Sequence, residues 1–136
     1  MTASEINCIA APSEKADELS GKIFPFCGQH LVASYSGCDE SVLIDLPGIV
    51  QALHAAIAAA GATVLDQSQH IFPNGAVTVV MLLAESHASI HTYPEHRSCF
   101  VDLFTCGEDC DLSKFDAEMQ MRLRPETANV RTFLRE

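Results

Sequence analysis

Three side chains in the second half of the chain have the types and the spacing to carry out covalent chemistry. Ser86 offers a hydroxyl nucleophile, His91 follows it after five positions and Cys106 after twenty. An imidazole titrates near neutral pH and can accept a proton, and a thiol at the end of a strand can donate one or act as a nucleophile. The set therefore supplies a nucleophile, a proton acceptor and a proton donor.

Ser86 directly follows Glu85, and the bond between them is a candidate for self-cleavage. If the serine hydroxyl attacks the Glu85 carbonyl, the amide becomes an ester. β-Elimination then releases the Glu85 carboxylate and leaves dehydroalanine, which hydrolyses to a pyruvoyl group. These steps need a strained scissile bond, a hydrogen-bond donor for the oxyanion and a base for the serine Cα proton.

His91 is the favoured base for this chemistry, and His87 is the competing candidate. A single histidine on a strand is more often structural than catalytic. On a strand that begins at Ser86, residue 91 points to the opposite side of the sheet, so a shared site requires a bend or bulge between the two. Cys106 stands at the end of a predicted strand, before Gly107, where a tight turn suits a site.

The bulk composition limits the class of protein. At 136 residues, 48% of them hydrophobic, the chain predicts one domain with a buried core. Its net charge of −10 argues against a nucleic-acid partner. The same charge suits a cationic substrate, although an acidic surface that only aids solubility gives the same composition.

Cysteine usage and hydropathy indicate the compartment. Six cysteines without a second matching pair of ligands predict free thiols and no bound metal. The apolar runs are too short to span a membrane, and the acidic N-terminal segment does not resemble a signal peptide. We therefore expect a cytoplasmic protein with no membrane partner.

The hydrophobic periodicity predicts an α+β domain over residues 26–136, preceded by an N-terminal extension or tail at 1–25. A long helix begins at Asp45 and ends at Gly61, and a second covers 112–123. Strands are predicted at 30–35, 76–84, 88–92, 99–104 and 129–134, and a further strand starts at 62–65.

Short loops between neighbouring strands favour a two-layer sandwich, an antiparallel sheet with helices on one face. The strand at 76–84 is apolar on both sides, so we expect the second sheet face to pair with another copy in a homodimer.

Several segments resemble the prokaryotic S-adenosylmethionine decarboxylase proenzymes. That family carries Glu-Ser-His, His-Thr-Trp-Pro-Glu and Asp-x-Phe-Thr-Cys-Gly, and this chain has its counterparts at the same intervals, in residues 85–87, 91–95 and 102–107. Further similarity lies upstream, in residues 28–30, 36–39 and 61–63. The resemblance covers residues 28–110 closely and extends more loosely to residue 134.

The resemblance implies roles for the residues at the cleavage point. Ser86 would become the pyruvoyl group, whose carbonyl forms a Schiff base with the substrate amine and takes up the electrons released by decarboxylation. His91 would assist processing, and Cys106 would protonate the decarboxylated carbon. Thr78 stands where a serine that supports processing is usual.

The resemblance also implies a substrate, S-adenosylmethionine, and a place in polyamine (spermidine) synthesis for homodimers of cleaved protomers. Phe72 and Tyr93 correspond to the aromatic pair that sandwiches the adenine, and Glu95 to the carboxylate that holds the ribose hydroxyls. Tyr93 replaces the usual tryptophan. Arg97 introduces a cation that could neutralise Glu95 or bind a second carboxylate.

Two other functions remain open from the sequence. One is a pyruvoyl-dependent decarboxylase of a basic amino acid, ornithine or arginine, because the family that this chain resembles includes members with such substrates. The other is a catalytically inactive paralogue that regulates an active partner. The presence of Ser86, His91 and Cys106 together counts against inactivity, because a dead subunit has no chemical need of all three.

Overall fold

The computed structural model describes residues 23–136, so the predicted extension at 1–25 lies almost wholly outside the described residues. The described elements are β1 (Gly28–Ser36), α1 (Glu40–Leu43), α2 (Leu46–Ala60), β2 (Val64–Ile71), β3 (Val77–Leu83), β4 (Ser86–Tyr93), a 3-10 turn (Pro94–His96), β5 (Ser98–Thr105), α3 (Leu112–Leu123) and β6 (Thr127–Arg135).

The strands form one six-stranded sheet in the order β2-β3-β4-β5-β1-β6, and all neighbouring strands are antiparallel. Helices α2 and α3 pack against each other and against one face of this sheet, and their apolar stripes form the core with alternate strand residues. This arrangement confirms the predicted α+β sandwich with helices on one face.

Helix α2 begins and ends where the sequence indicates. The Asp45 carboxylate accepts the Gly48 N–H at 3.2 Å, Pro47 lies in the first turn, and Gly61 closes the helix with a φ of 85°. The apolar residues Ile49, Leu53, Ile57 and Ala60 recur at steps of three or four positions, and all four are buried. This helix therefore fixes the layer against which the strands that carry the site are packed.

Strand β2 begins within the predicted start at 62–65 and extends to Ile71, an end that the sequence did not predict. Its second half is polar and mostly exposed, because it is an edge strand bonded only to β3. Backbone pairing holds such a strand without an apolar stripe, so periodicity does not mark it. The short helix α1, capped by Asp39, was not predicted either.

The sheet face opposite the helices is called the open face here. It bears alternate residues of each strand, including His30 and Val32 (β1), Thr78, Val80 and Leu82 (β3), His87, Ser89 and His91 (β4) and Phe100, Asp102 and Phe104 (β5). None of these side chains is fully buried, and Leu82 and Phe100 are each 53% exposed. Apolar and chemically active side chains are thus mixed on one accessible surface.

Candidate active site

The predicted cleavage point lies at one end of the sheet, where β4 begins and β5 ends. Ser86 and Thr105 are cross-strand partners, which places Cys106 beside the serine. The Ser86 Oγ and Cys106 Sγ atoms are 3.8 Å apart. The structure therefore brings the predicted nucleophile and the predicted proton donor together.

Ser86 has a strained backbone. Its φ is 155°, a backbone value that residues other than glycine rarely adopt. A residue held in such a region costs about 1–3 kcal/mol and persists only where the surrounding structure imposes it. The strain is located at the residue whose preceding peptide bond would have to break.

A hydrogen-bond donor already contacts the carbonyl that Ser86 would attack. The Cys106 backbone N–H donates to the Glu85 carbonyl oxygen at 2.9 Å. A donor in this place stabilises the oxyanion formed when that carbonyl becomes tetrahedral. The sequence predicted that a hydrogen-bond donor is needed, but only the structure identifies it as the backbone N–H of Cys106.

The Glu85 side chain anchors the same segment. It is buried, and its Oε1 atom accepts the Thr63 N–H at 3.0 Å. A Cβ added at Gly107 would lie 3.0 Å from the Glu85 Cγ atom and 2.8 Å from the Cys110 Sγ atom. Gly107 is therefore needed for this close approach.

His91 and Thr78 lie near the opposite end of β4. They are cross-strand partners, and the His91 Nδ1 and Thr78 Oγ1 atoms are 3.1 Å apart. The threonine retains the hydroxyl that a serine would offer at this position. The two side chains line a cleft of about 530 Å³ together with Phe72, Asn74, Tyr93 and Glu95.

One chain does not bring His91 to Ser86. Strand β4 pairs with both neighbours in unbroken register from His87 onward, so the bend that a shared site within one chain requires is not present. Five residues at about 3.3 Å each separate the two by about 16 Å along the strand. If His91 is the processing base, it acts on another copy.

The predicted nucleoside residues share the cleft that contains His91. Each aromatic ring also packs against a second ring: Phe72 against His70 at 4.7 Å between centroids, and Tyr93 against Phe100 at 5.3 Å. Phe72 is still 44% exposed and Tyr93 40%, so both rings keep accessible surface on which a ligand could stack.

The Glu95 carboxylate is not paired with Arg97. The Arg97 Nε donates to the Cys38 carbonyl oxygen at 2.9 Å, and its Nη2 atom lies 3.9 Å from the Glu126 carboxylate. Glu95 instead accepts from the Asn74 Nδ2 at 3.2 Å. Arg97 therefore does not neutralise Glu95, and the carboxylate that it approaches is that of Glu126.

A polar cluster on the open face was only partly foreseen. The Asp102 Oδ2 atom lies 2.8 Å from the His30 Nε2 and 3.3 Å from the His87 Nε2, and the Ser89 hydroxyl donates to Oδ1. Burial raises the Asp102 pKa, but hydrogen bonds from Ser89 and His30 and the nearby imidazole charges outweigh it, so the pKa is lowered. The alternation of His87, Ser89 and His91 was the available signal in the sequence.

The same cluster has the composition of a metal site, because ligand atoms of His30, His87 and Asp102 lie within 4.8 Å of one another. However, the Arg135 Nη1 atom lies 3.4 Å from the His30 Nδ1. This cation beside His30 opposes a second cation at the cluster, and the short contacts to Asp102 already form a hydrogen-bonded network.

The helices show nothing that suggests a membrane span. Within residues 23–136, no helix has both the length and the apolar character needed to cross a bilayer.

The fold and the site define a small α+β protein in which a serine with a strained backbone lies beside a thiol at one end of the sheet. Residues 29–136 match the family model described as S-adenosylmethionine decarboxylase. The chain therefore belongs to the S-adenosylmethionine decarboxylase family.

Individual relatives agree with this assignment. The chain is 42% identical over 103 residues to an S-adenosylmethionine decarboxylase proenzyme of Methanococcus maripaludis, covering 76% of this chain and 84% of the relative. It is 38% identical to the proenzyme of the same name from Thermotoga petrophila, and the match covers 76% of this chain and 79% of that relative. The crystal structure of the adenosylmethionine decarboxylase from Aquifex aeolicus superposes with a TM-score of 0.73 at 30% identity, covering 79% of this chain and 89% of that one.

Proposed function

We propose that this protein is a self-processing carboxy-lyase that converts S-adenosylmethionine to its decarboxylated form and carbon dioxide, using a pyruvoyl group made from Ser86. One observation carries the proposal. The strained Ser86 follows a carbonyl that is held by the Cys106 N–H at 2.9 Å, with the Cys106 thiol 3.8 Å from the serine hydroxyl. The names of the relatives support the substrate, and the proenzyme name fits a chain that cleaves itself.

The chain's own groups account for the processing reaction. The Ser86 hydroxyl attacks the Glu85 carbonyl, the Cys106 N–H stabilises the oxyanion, and collapse of the intermediate gives an ester with a free amine on residue 86. Removal of the Cα proton then expels the Glu85 carboxylate. Water replaces the nitrogen of the resulting dehydroalanine, ammonia leaves, and a keto group remains at the new N-terminus.

The residues present fit this group, because the new N-terminus would lie beside the Cys106 thiol. The pyruvoyl group would supply an electron sink for the carbanion formed as carbon dioxide leaves. Cys106 is placed to deliver a proton to that carbon. Phe72 and Tyr93 offer ring faces to the adenine, and Glu95 offers acceptors to the ribose hydroxyls.

A homodimer would complete the site. Ser86 and His91 lie about 16 Å apart in one chain, and apolar side chains such as Leu82 and Phe100 are exposed on the open face between them. A two-fold axis that runs across the strands at the middle of β4 exchanges the two ends of this strand. Stacking of two open faces about that axis places Ser86 opposite His91 of the partner subunit and covers the apolar side chains.

The two alternatives are less well supported. For an amino-acid substrate, a cation that neutralised Glu95 would weaken the case for a ribose, but the Arg97 guanidinium is directed to Cys38 and Glu126 rather than to Glu95. An inactive regulatory subunit would not need the alignment of Ser86 and Cys106.

Self-cleavage and substrate are tested together on purified protein. We expect mass spectrometry to find fragments 1–85 and 86–136, the second blocked by pyruvoyl, and carboxyl-labelled S-adenosylmethionine to release labelled carbon dioxide. Ser86→Ala should remain intact, while Ser68→Ala on the exposed edge strand should cleave normally. Release of label from ornithine or arginine instead would overturn the substrate, and a folded wild type that stays intact would overturn the pyruvoyl group.

The shared site is tested by complementation. Ser86→Ala cannot cleave, and His91→Ala should cleave slowly because it lacks the base. In a mixed dimer one site combines the intact Ser86 of the His91→Ala chain with the intact His91 of the other. We expect coexpression to restore cleavage of the His91→Ala chain only. Unchanged cleavage in the mixture would show that His91 does not act across the dimer.

A further inference from the structure

We infer that Asn74 is a positioning residue that sets the nucleoside specificity of the cleft by holding Glu95. This inference rests on the proposed function, because it assumes that Glu95 receives the ribose of the substrate. Asn74 lies in the turn between β2 and β3, across the cleft from the 3-10 turn that bears Glu95.

Both ends of the Asn74 amide are engaged. Its Oδ1 atom accepts the Ala76 backbone N–H at 3.1 Å, and its Nδ2 atom donates to the Glu95 Oε2 at 3.2 Å. A backbone N–H can only donate and a carboxylate only accepts, so these partners fix which end of the amide faces which group. The turn therefore presents an oriented donor to the carboxylate.

Asn74 also connects Glu95 to the stacking residue Phe72. The turn is closed by two backbone bonds, from the Phe72 N–H to the Ala76 carbonyl at 2.8 Å and from the Gly75 N–H to the Phe72 carbonyl at 2.9 Å. Asn74 lies inside this turn and reaches across to Glu95. Asn74 therefore links the turn that bears the stacking ring to the carboxylate that would bind the sugar.

This contact orients Glu95 without neutralising it. An exposed glutamate samples several rotamers, and ordering them on binding reduces affinity. The Asn74 amide is uncharged and engages Oε2, so Oε1 remains available to a hydroxyl while the carboxylate keeps its charge. Oε2 keeps a second acceptor position beside the Asn74 bond, so a contact of both oxygens with two vicinal hydroxyls needs little further ordering.

Two substitutions separate positioning from a role in the turn. Asn74→Asp keeps an acceptor for the Ala76 N–H but loses the donor and places a like charge beside Glu95. Asn74→Ala removes both contacts. We expect Asn74→Asp to raise the KM for S-adenosylmethionine about tenfold, the size of one charge-assisted hydrogen bond, with kcat and self-cleavage unchanged. If only the turn mattered, Asn74→Asp would behave as wild type and Asn74→Ala would not.

A Glu95→Gln background shows whether the effect passes through Glu95. The added charge of Asn74→Asp no longer meets a like charge there, so we expect its tenfold effect on KM to fall to about twofold or less, as for residues that couple directly. An undiminished effect in this background would overturn the inference.

Binding of 5′-methylthioadenosine, measured by calorimetry on the cleaved full-length protein, keeps this result distinct from failure of the proposed function. The probe carries the base and ribose but cannot be decarboxylated. We expect Asn74→Asp to weaken its binding by the same factor as it raises KM. Equal binding by wild type and Asn74→Asp would overturn the role of Asn74, whatever substrate the enzyme decarboxylates.

Discussion

The two faces of the sheet differ in what their alternating residues do. Along β4, Ala88, Ile90 and Thr92 point to the helices and are buried, whereas His87 and His91 point to the open face. The covered face is specified by volume and apolarity. The open face holds groups that need water, substrate or a second chain to satisfy them, and this difference separates the residues that maintain the fold from those that perform chemistry.

Truncation of a core aromatic residue should give the largest effect. Phe115 on α3 is fully buried, so Phe115→Ala should lower the free energy of unfolding by about 3–5 kcal/mol. Met121→Ala truncates a large side chain on the same helix that is 60% exposed and lies outside the proposed interface, so it should cost much less. Urea denaturation at one fixed protein concentration measures both, and equal losses would contradict the distinction between covered and exposed positions.

A charge on the open face should have the next largest effect, and on assembly rather than folding. Leu82 is 53% exposed on this face, and Met121 is 60% exposed on the outer side of α3. Leu82→Asp should weaken the dimer at least about tenfold because a buried interface would have to accept an unpaired charge. Met121→Asp is the matched control and should not. Light scattering across micromolar concentrations measures the mass, and a wild-type monomer would contradict the proposed interface.

The sequence predicts the covered face better than the open one, for physical reasons. Packing leaves a repeating signature, so the stripe of α2 and the buried residues Phe115, Met119 and Leu123 could be read directly from the sequence. The residues of the open face produce a weaker pattern in the sequence. The edge strand β2 is held by backbone pairing, and the polar cluster depends on His30, distant in the chain from Asp102.

The reactive end of the sheet was predicted by residue type and not by geometry. The pairing of Ser86 with Cys106 followed from the resemblance, but the φ of 155° at Ser86 and the backbone donor to Glu85 depend on how two strand ends meet. A site shared within one chain would require a bend between Ser86 and His91, and this condition is not met, because β4 pairs without interruption. A regular strand keeps its two ends apart, and only a second copy can bring them together.

Among the polar contacts on the covered side of the sheet, the bond from the Tyr35 hydroxyl to the Asp116 carboxylate should have a smaller but measurable effect. Burial and the Asp116 charge both raise the Tyr35 pKa far above its usual range, so the hydroxyl stays protonated and donates. Tyr35→Phe should cost about 1.5 kcal/mol, the low end for a bond to a charged group, because Asp116 keeps its bonds from Gln120. Denaturant unfolding measures this loss. An unchanged free energy of unfolding in Tyr35→Phe would show that water replaces the hydrogen bond without loss of stability.

The smallest expected effect is a pH dependence that arises on the covered side. His54 on α2 is buried beside Gln67, and burial lowers its pKa, although the hydrogen bond with Gln67 at 3.2 Å opposes this. The unfolded chain therefore takes up a proton below about pH 6.5 that the folded chain does not. Stability from this group is present above that pH and is lost as the pH falls toward the lowered pKa.

The lowered pKa of His54 also bounds the size of this pH dependence and indicates a control variant. Between pH 7 and pH 6 the free energy of unfolding should fall by at most about 0.7 kcal/mol through this group. His54→Gln keeps an N–H donor for the Gln67 carbonyl but does not titrate, so its curve should be flatter by that amount. All other histidines are the same in both proteins, so any contribution from them cancels in the comparison. Identical slopes would mean that His54 is protonated as readily in the fold as in the unfolded chain, which would contradict its burial in an apolar layer.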